Sequence, residues 1–376
     1  MEYLVATAAV IWVVLLIAPW RPWSTKERLE PDPVEGTLDL SDVSVIIPAR
    51  NEAGGIRRTL LALANQGANL TVILVDDHSS DETARIARST LADGLKIVEG
   101  EPLPPAWTGK LWALEQGSRW ATTELALLLD ADIELDRGMV SALKQKLSDE
   151  KVDLLSVMAW LRMESFWEKL LAPAFVYFFK LLYPFSVGNN PYSRLGVAAG
   201  GCVLVRMDAL RKAGAFRSIR TSIIDDCALA RRVKASGGRT WIGLSHSVRS
   251  HRPYPRLTNF WQMVARTAFT QLRYSIWLLL GTTLLMSSMY VIPWVGLFLP
   301  SIAAKRFGLI AASGMMASYL PTLRYYRRSV LWAPMLPVIG SLFLLMTWSS
   351  AIRFWRGRGA EWKERVIRPE TADGNR

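Results

Sequence analysis

Asp130 and Asp132 form the only Asp-x-Asp of the chain and directly follow the apolar run Leu125–Leu129. An apolar run of that length bounded by acids predicts a buried strand whose end opens onto a cleft. Open α/β sheets bind their ligands at such carboxyl ends. Two carboxylates there can hold a hard divalent cation, and that cation can hold a diphosphate. Taken alone, the pair is equally well a set of solvated turn acids.

Four further clusters fall at predicted strand ends or helix starts. Pro48-Ala49-Arg50-Asn51-Glu52 follows the first strand, where a loop can offer N–H groups and polar side chains to a nucleotide or form an ordinary capped turn. In Val75-Asp76-Asp77-His78-Ser79-Ser80-Asp81, N-capping accounts for Ser80 and Asp81 but not for two adjacent acids, which repel unless something uses them. Thr108-Gly109-Lys110 opens a helix whose N-terminal N–H groups favour anions, with Lys110 as a point charge for phosphate or as a solvated surface lysine. Asp225-Asp226, with Leu229 and Arg232, also starts a helix. Acids there compensate the helix dipole, or one of them serves as a general base for a hydroxyl. Of the three histidines, His78, His246 and His251, only His78 lies near these clusters in sequence, and none has metal-ligand spacing. No Walker loop, Gly-x-Gly-x-x-Gly or Ser-His-Asp ordering accompanies them, which weakens ATPase, dehydrogenase and hydrolase readings.

The elements that must position these residues alternate. Strands are expected at Val43–Pro48, Thr71–Val75, Leu95–Val98, Leu125–Leu129 and Gly201–Val205, and helices at Glu52–Gln66, Ser80–Ala92, Gly109–Trp120 and Asp225–Ala235. Such alternation predicts an α/β fold with a mostly parallel sheet covered by helices on both faces. The domain is expected over 41–255, after a linker at 21–40. Glu164–Phe185 is rich in aromatic and aliphatic residues with few charges, so 164–186 reads as a helix at a membrane interface or, alternatively, as one packed on the domain core.

Both ends are too apolar for a wholly soluble chain. Residues 1–20 contain Val10–Ile17 without an early basic residue or a small-residue cleavage site, so they read as an uncleaved anchor. Arg21, Lys26 and Arg28 follow it and place the next domain in the cytoplasm by the positive-inside rule. After an interfacial segment at 256–275, the apolar region 276–352 divides into Ile276–Pro300, Phe307–Leu323 and Val330–Ile352, each close to a bilayer's span. Three full spans would put the basic tail at 353–376 (Arg353, Arg356, Arg358, Lys363, Arg365, Arg368) outside; a re-entrant hairpin at Ile276–Pro300 returns it inside and is the arrangement expected. The net charge of +12 clusters beside apolar segments, which suits anionic lipid and phosphate rather than nucleic acid as partner. Two cysteines, Cys202 and Cys227, supply neither a disulfide framework nor a zinc site.

Val-Ile-Ile-Pro-Ala-Arg-Asn-Glu (45–52), Val-Asp-Asp-His-Ser-Ser-Asp (75–81), Asp-Ala-Asp (130–132) and Asp-Asp-x-x-Leu (225–229) stand in the order and approximate spacing of family 2 glycosyltransferases, which this chain resembles over residues 41 to 275. Pro104–Trp112 and Arg266–Ser275 make it look like the hopanoid-biosynthesis-associated subgroup. The resemblance implies the GT-A fold and an inverting transfer from a nucleotide-sugar, most often UDP-linked. It implies donor contacts from Pro48, Ala49, Arg50, Glu52, Asp76, Asp77, Lys110 and Asp130. It further implies Mg2+ or Mn2+ on Asp132 with Asp130, and Asp226, beside Asp225, as catalytic base. Processive members carry Gln-x-x-Arg-Trp before their membrane helices; here Gln271-Leu-Arg273-Tyr274 is one residue shorter and ends in Tyr, which argues against a polymer synthase. The expected protein is therefore a multi-pass enzyme of the inner (plasma) membrane with a cytoplasmic catalytic domain, acting on a lipid or polyprenyl acceptor. The alternatives are a catalytically silent nucleotide-sugar-binding scaffold, for which the acids are too complete, and a processive synthase.

Overall fold

The computed structural model describes residues 1–357 apart from Val34, Glu35, Thr37 and Ala92, together with the backbone of 360–362 and 365–367. The tail positions Arg358, Lys363 and Arg368 lie outside the described residues, as does the side chain of Arg365. Two compact units form. A sheet unit comprises Glu27–Arg162 and Val187–Pro253; a helical unit comprises Met1–Lys26, Met163–Ser186 and Tyr254–Ala360.

The sheet unit is built on eight strands: β1 (Val43–Ala49), β2 (Thr71–Asp76), β3 (Leu95–Glu99), β4 (Leu125–Leu129), β5 (Ile133–Leu135), β6 (Leu154–Trp160), β7 (Cys202–Arg206) and β8 (Thr240–Ser250). Their order is β3-β2-β1-β4-β7-β6-β8-β5. The half that carries the early motifs, β3-β2-β1-β4, is parallel, with Ser44 beside Thr71 and Val43 beside Leu125. Beyond it β7 runs antiparallel to β4 and β6, β6 and β8 are parallel, and β5 returns antiparallel along β8.

Alternation along the strands sends successive side chains to opposite faces. Val45, Ile47, Val72, Leu74, Leu127 and Leu129 join one apolar core with the helix Ile56–Ala64; Ile46, Ile73, Val75, Ala126 and Leu128 join the other with the helix Gly109–Ser118. The sheet is thus buried on both faces, which is why its central strands read as continuous apolar runs.

The sequence expectation misses β5, β6, β8 and the helix Met139–Asp149. In β8 the polar run Ser245-His246-Ser247 hides the strand signal, because Glu30 satisfies it from the chain before β1: Oε2 accepts from Ser245 Oγ (3.0 Å) and Ser247 N (3.2 Å), and Oε1 from His246 N (2.8 Å). That segment is correspondingly more than a linker. Leu29 N donates to Leu244 O and Leu244 N to Glu27 O, both at 2.9 Å, so part of 21–40 runs along β8.

In the helical unit, Glu2–Ile17 is a 16-residue apolar helix whose buried Trp12 donates Nε1 to Met289 O at 2.9 Å. Phe166–Leu182 starts on a capping box of Ser165 and Glu168. Within the unit this helix packs on its neighbours: Glu168 and Lys180 are buried, Tyr177 bonds Ser318 at 2.7 Å and Phe178 packs on Phe343, while Phe166 and Leu182 at its ends are exposed. Among the described residues one continuous stretch, Val330–Trp355, is long and apolar enough to cross a bilayer; Ile276–Tyr290 and Ile292–Phe298 reach that length together but are bent by 42°. Phe307–Leu323 lies inside the helix Ile302–Tyr325, which also carries Lys305, Arg306 and Arg324.

Candidate active site

The carboxyl ends of β1, β2 and β4 share one rim because the three strands are parallel neighbours. Hydrogen bonds between the loops after β1 and β2 shape this rim. Asp77 N donates to Ala49 O at 2.8 Å, and Arg50 Nη1 donates to Asp77 O at 2.6 Å. Glu52 N donates to Thr83 Oγ1 at 2.8 Å, and Ala53 N to Asp81 Oδ2 at 3.0 Å. Pro48 and Ala49 are buried backbone positions of β1, paired with Val75 and Asp76. Of the two adjacent acids, Asp76 has a local task, since its Oδ1 accepts from Ser79 N at 3.0 Å and closes the loop. Asp77 is buried at the same strand end. Asp81, not Ser80, accepts from Thr83 N (3.0 Å) at the start of the helix Thr83–Thr90.

Lys110 enters from the first turn of Gly109–Ser118, where Thr108 Oγ1 accepts from Leu111 N. It is neither a solvated surface lysine nor an open phosphate anchor. Its Nζ lies 2.9 Å from Asp130 Oδ1 and 3.3 Å from Asp225 Oδ2. Burial opposes its charge, but these carboxylates outweigh burial and hold the ammonium above its usual range. For Asp130, burial leads and raises the carboxyl, with Lys110 working against it.

Asp225 and Asp226 open a helix with the bounds that the sequence predicts, Asp225–Ala235. Asp226 accepts two backbone N–H bonds, from Gly200 to Oδ2 (2.8 Å) and from Cys227 to Oδ1 (2.7 Å). Burial and then the neighbouring Asp225 charge push its pKa up to about 7. A carboxyl poised there fits the requirement for a general base near neutral pH. Gly200 makes the approach possible, since a Cβ on it would sit 3.2 Å from Lys110 Nζ and 3.4 Å from Asp226 Oδ2. Pro48, Lys110, Asp130, Gly200, Asp225 and Asp226 line one pocket with apolar walls.

Asp132 faces a group that the sequence expectation omits, the residues at the end of β8. Ser250 Oγ donates to Asp132 Oδ2 at 2.7 Å. Arg252 donates from Nη2 to Asp132 Oδ1 (3.2 Å) and Glu52 Oε1 (2.8 Å), and from Nε to Asp132 Oδ2 (3.3 Å). Burial works to raise Asp132, but Arg252 and the bond from Ser250 hold it below the usual carboxylate range. His251, not His78, is the histidine beside the Asp pair: its N donates to Asp132 O at 3.0 Å and its ring pairs with Glu134. The signal for these residues was the β5–β8 pairing, Ile133 opposite Ser250, which no local periodicity reveals.

Among the described residues no cluster of three or more His, Cys, Asp and Glu side chains is arranged for a metal. The donors present nevertheless suit one kind of site. Mg2+ is commonly held by one or two carboxylates plus substrate phosphates and waters, and Asp130 and Asp132 offer hard oxygens of that type. Gln271 and Arg273 belong to the helical unit, where Gln271 Oε1 accepts from Tyr183 OH at 2.6 Å and Arg273 has φ 51°.

Residues 44–214 match the family model described as Glycosyl transferase family 2. The match stops before Asp225, Asp226 and the end of β8. The chain is 33% identical over 199 residues to the 4,4'-diaponeurosporenoate glycosyltransferase of Staphylococcus aureus (strain USA300), covering 50% of each chain. It is 30% identical over 162 residues to the protein of the same name from Staphylococcus haemolyticus (strain JCSC1435), covering 42% of this chain and 40% of that one. The chain thus spans about half the length, or less, of the curated relatives it matches. Among solved structures, the mannosyltransferase PcManGT from Pyrobaculum calidifontis in complex with GDP-Man and Mn2+ aligns with a TM-score of 0.52 at 18% identity, over 93% of this chain and 99% of that one. At that identity the likeness speaks for the fold alone.

Proposed function

We propose that this protein is a membrane-bound inverting glycosyltransferase that transfers a sugar from a nucleotide-sugar to a lipid acceptor, with Asp226 as the base. The observation that carries the reading is the convergence on Lys110: one half-buried ammonium touches Asp130 of the Asp-x-Asp and Asp225 of the Asp-Asp pair, 95 residues further on (225 minus 130). A leaving-group site and a base site thereby share one pocket, as displacement at an anomeric carbon requires.

Asp226, fixed by the N–H groups of Gly200 and Cys227, takes the proton of the acceptor hydroxyl as that oxygen forms its bond to the anomeric carbon. The bond from that carbon to the diphosphate breaks on the opposite face, and its electron pair leaves with the diphosphate. Lys110 neutralises the acids that line the pocket and so lets an anionic donor enter. Pro48, Ala49, Arg50, Glu52, Asp76 and Asp77 form the loop wall proposed to receive the nucleoside, and Gln271 and Arg273 are assigned to the donor on resemblance only. Asp132 with Asp130 would hold Mg2+ or Mn2+, which supplies charge stabilisation to the departing diphosphate.

The exposed apolar residues of the helical unit support membrane embedding with several passes. Basic residues flanking the first helix support a cytoplasmic site at the inner (plasma) membrane. Relatives named for glycosylating diaponeurosporenoate support a lipid acceptor, and the subgroup resemblance makes a hopanoid the first acceptor to try. The test incubates detergent-purified protein with labelled UDP- or GDP-sugars, Mn2+ and extracted hopanoid or carotenoid lipid. Label moving into the organic phase supports the reading; transfer to water-soluble acceptors alone overturns it.

A further inference from the structure

Asp132 is the stronger metal candidate of the Asp-x-Asp, yet in this structure its carboxylate already serves a cation. Arg252 reaches both oxygens, 3.2 Å to Oδ1 and 3.3 Å to Oδ2, while Ser250 Oγ donates to Oδ2 at 2.7 Å. A carboxylate has about four lone-pair sites, and three are engaged here. The same guanidinium bonds Glu52 Oε1 at 2.8 Å, so it ties the loop after β1 to the Asp pair across 200 residues of sequence. Asp132 is buried, which leaves little room for a second cation beside the first.

We propose that Arg252 is a displaceable counter-cation: it holds Asp132 and Glu52 in register in the ligand-free protein, must leave Asp132 when a divalent cation binds, and passes to the diphosphate of the incoming nucleotide. The inference rests on the proposed transferase reading. Its physical basis is competition. A divalent ion needs carboxylate lone pairs at about 2.0–2.1 Å, and it repels a guanidinium using the same oxygens. Arg252 does not have to become solvated when it lets go, because Glu52 tethers it at the rim. Its planar set of donors also suits a phosphate in two-point fashion. Metal and nucleotide diphosphate should therefore bind cooperatively, since the diphosphate gives the displaced guanidinium a new partner.

The experiment titrates Mn2+ into the full chain in detergent and reads free Mn2+ by electron paramagnetic resonance, with and without UDP or GDP, for wild type, Arg252→Ala and Arg252→Lys. With Mn2+ alone, Arg252→Ala should bind at least about fivefold more tightly than wild type, the lower end of ordinary coupling between sites. Arg252→Lys, which keeps the charge but not the two-point grip, should fall between them and serves if the alanine variant does not fold. The gain in Mn2+ affinity on adding the nucleotide should shrink in Arg252→Ala. Equal or weaker Mn2+ binding by folded variants overturns the competition, and an undiminished nucleotide effect overturns the hand-over. If wild type takes up no Mn2+ even with nucleotide, the metal reading of the site falls as well. Uptake by wild type with nucleotide but no tightening in the variants sinks this inference alone.

Discussion

The two units distribute charge and apolar surface in opposite ways. In the sheet unit, aliphatic side chains turn inward on both sheet faces, and the half-buried charges at the rim are paired: Lys110 with Asp130 and Asp225, Arg252 with Asp132 and Glu52. In the helical unit, Trp277, Phe298 and Leu331 are 78%, 86% and 79% exposed, whereas Glu168 and Lys180 are 1% and 2% exposed. Isolated exposed apolar residues are ordinary, but many on one set of helices with charges inside match a surface shaped by lipid. The contrast teaches that one chain carries two surface chemistries, and under the proposed membrane-bound reading it is the helical unit that meets hydrocarbon.

The comparison can be broken first at the base. Asp226→Asn is expected to lower turnover roughly 10²–10⁴-fold while leaving nucleotide affinity, measured by thermal shift, near that of wild type. Near-normal turnover would remove Asp226 from the mechanism. Next, a charge on each apolar surface should separate the two solvents. Leu284→Arg, on an exposed face of the helical unit, should cost about 2.5–3.5 kcal/mol if that position lies in hydrocarbon, read as loss of protein from washed membranes. Leu61→Arg, on the exposed surface of the sheet unit, should change stability by no more than about 0.5 kcal/mol.

The third test is pH. With the Asp226 pKa raised to about 7, turnover should fall about tenfold per pH unit below it, and this limb should vanish in Asp226→Asn. The same shift acts on stability. A carboxyl raised above its unfolded value of 3.8 stabilises the fold below that value and loses its contribution as pH rises through about 7. Asp226→Asn should therefore raise the melting temperature at pH 8 relative to wild type, more than at pH 4. The smallest effect is expected at Thr108→Ala, which removes the cap that starts the Lys110 helix. It should cost about 0.5–1 kcal/mol in denaturant unfolding, since the bond to Leu111 N is long at 3.4 Å.

Much of the parallel half was legible in the sequence. Val43–Ala49, Thr71–Asp76 and Leu125–Leu129 are apolar runs ending in polar or acidic residues, and a buried parallel strand has no other way to look. The antiparallel edge was not. Thr240–Ser250 owes its burial of Ser245 and Ser247 to Glu30, more than 200 residues away, so its own pattern resembles a loop. The helix Phe166–Leu182 was legible as a helix, but its packing partners were not, because composition alone does not name the helices that pack on it.

For the candidate site, the sequence by itself determined which carboxylates stand at strand ends and helix starts: Asp76, Asp77, Asp130, Asp132, Asp225 and Asp226. Local periodicity and capping are short-range effects that need no partner from elsewhere. Only the tertiary structure decided which cation meets which acid. Lys110 links Asp130 and Asp225, and Arg252 comes to rest on Asp132 from 120 residues away. Coulomb interactions depend on distance in space and on exclusion of water, and folding sets both.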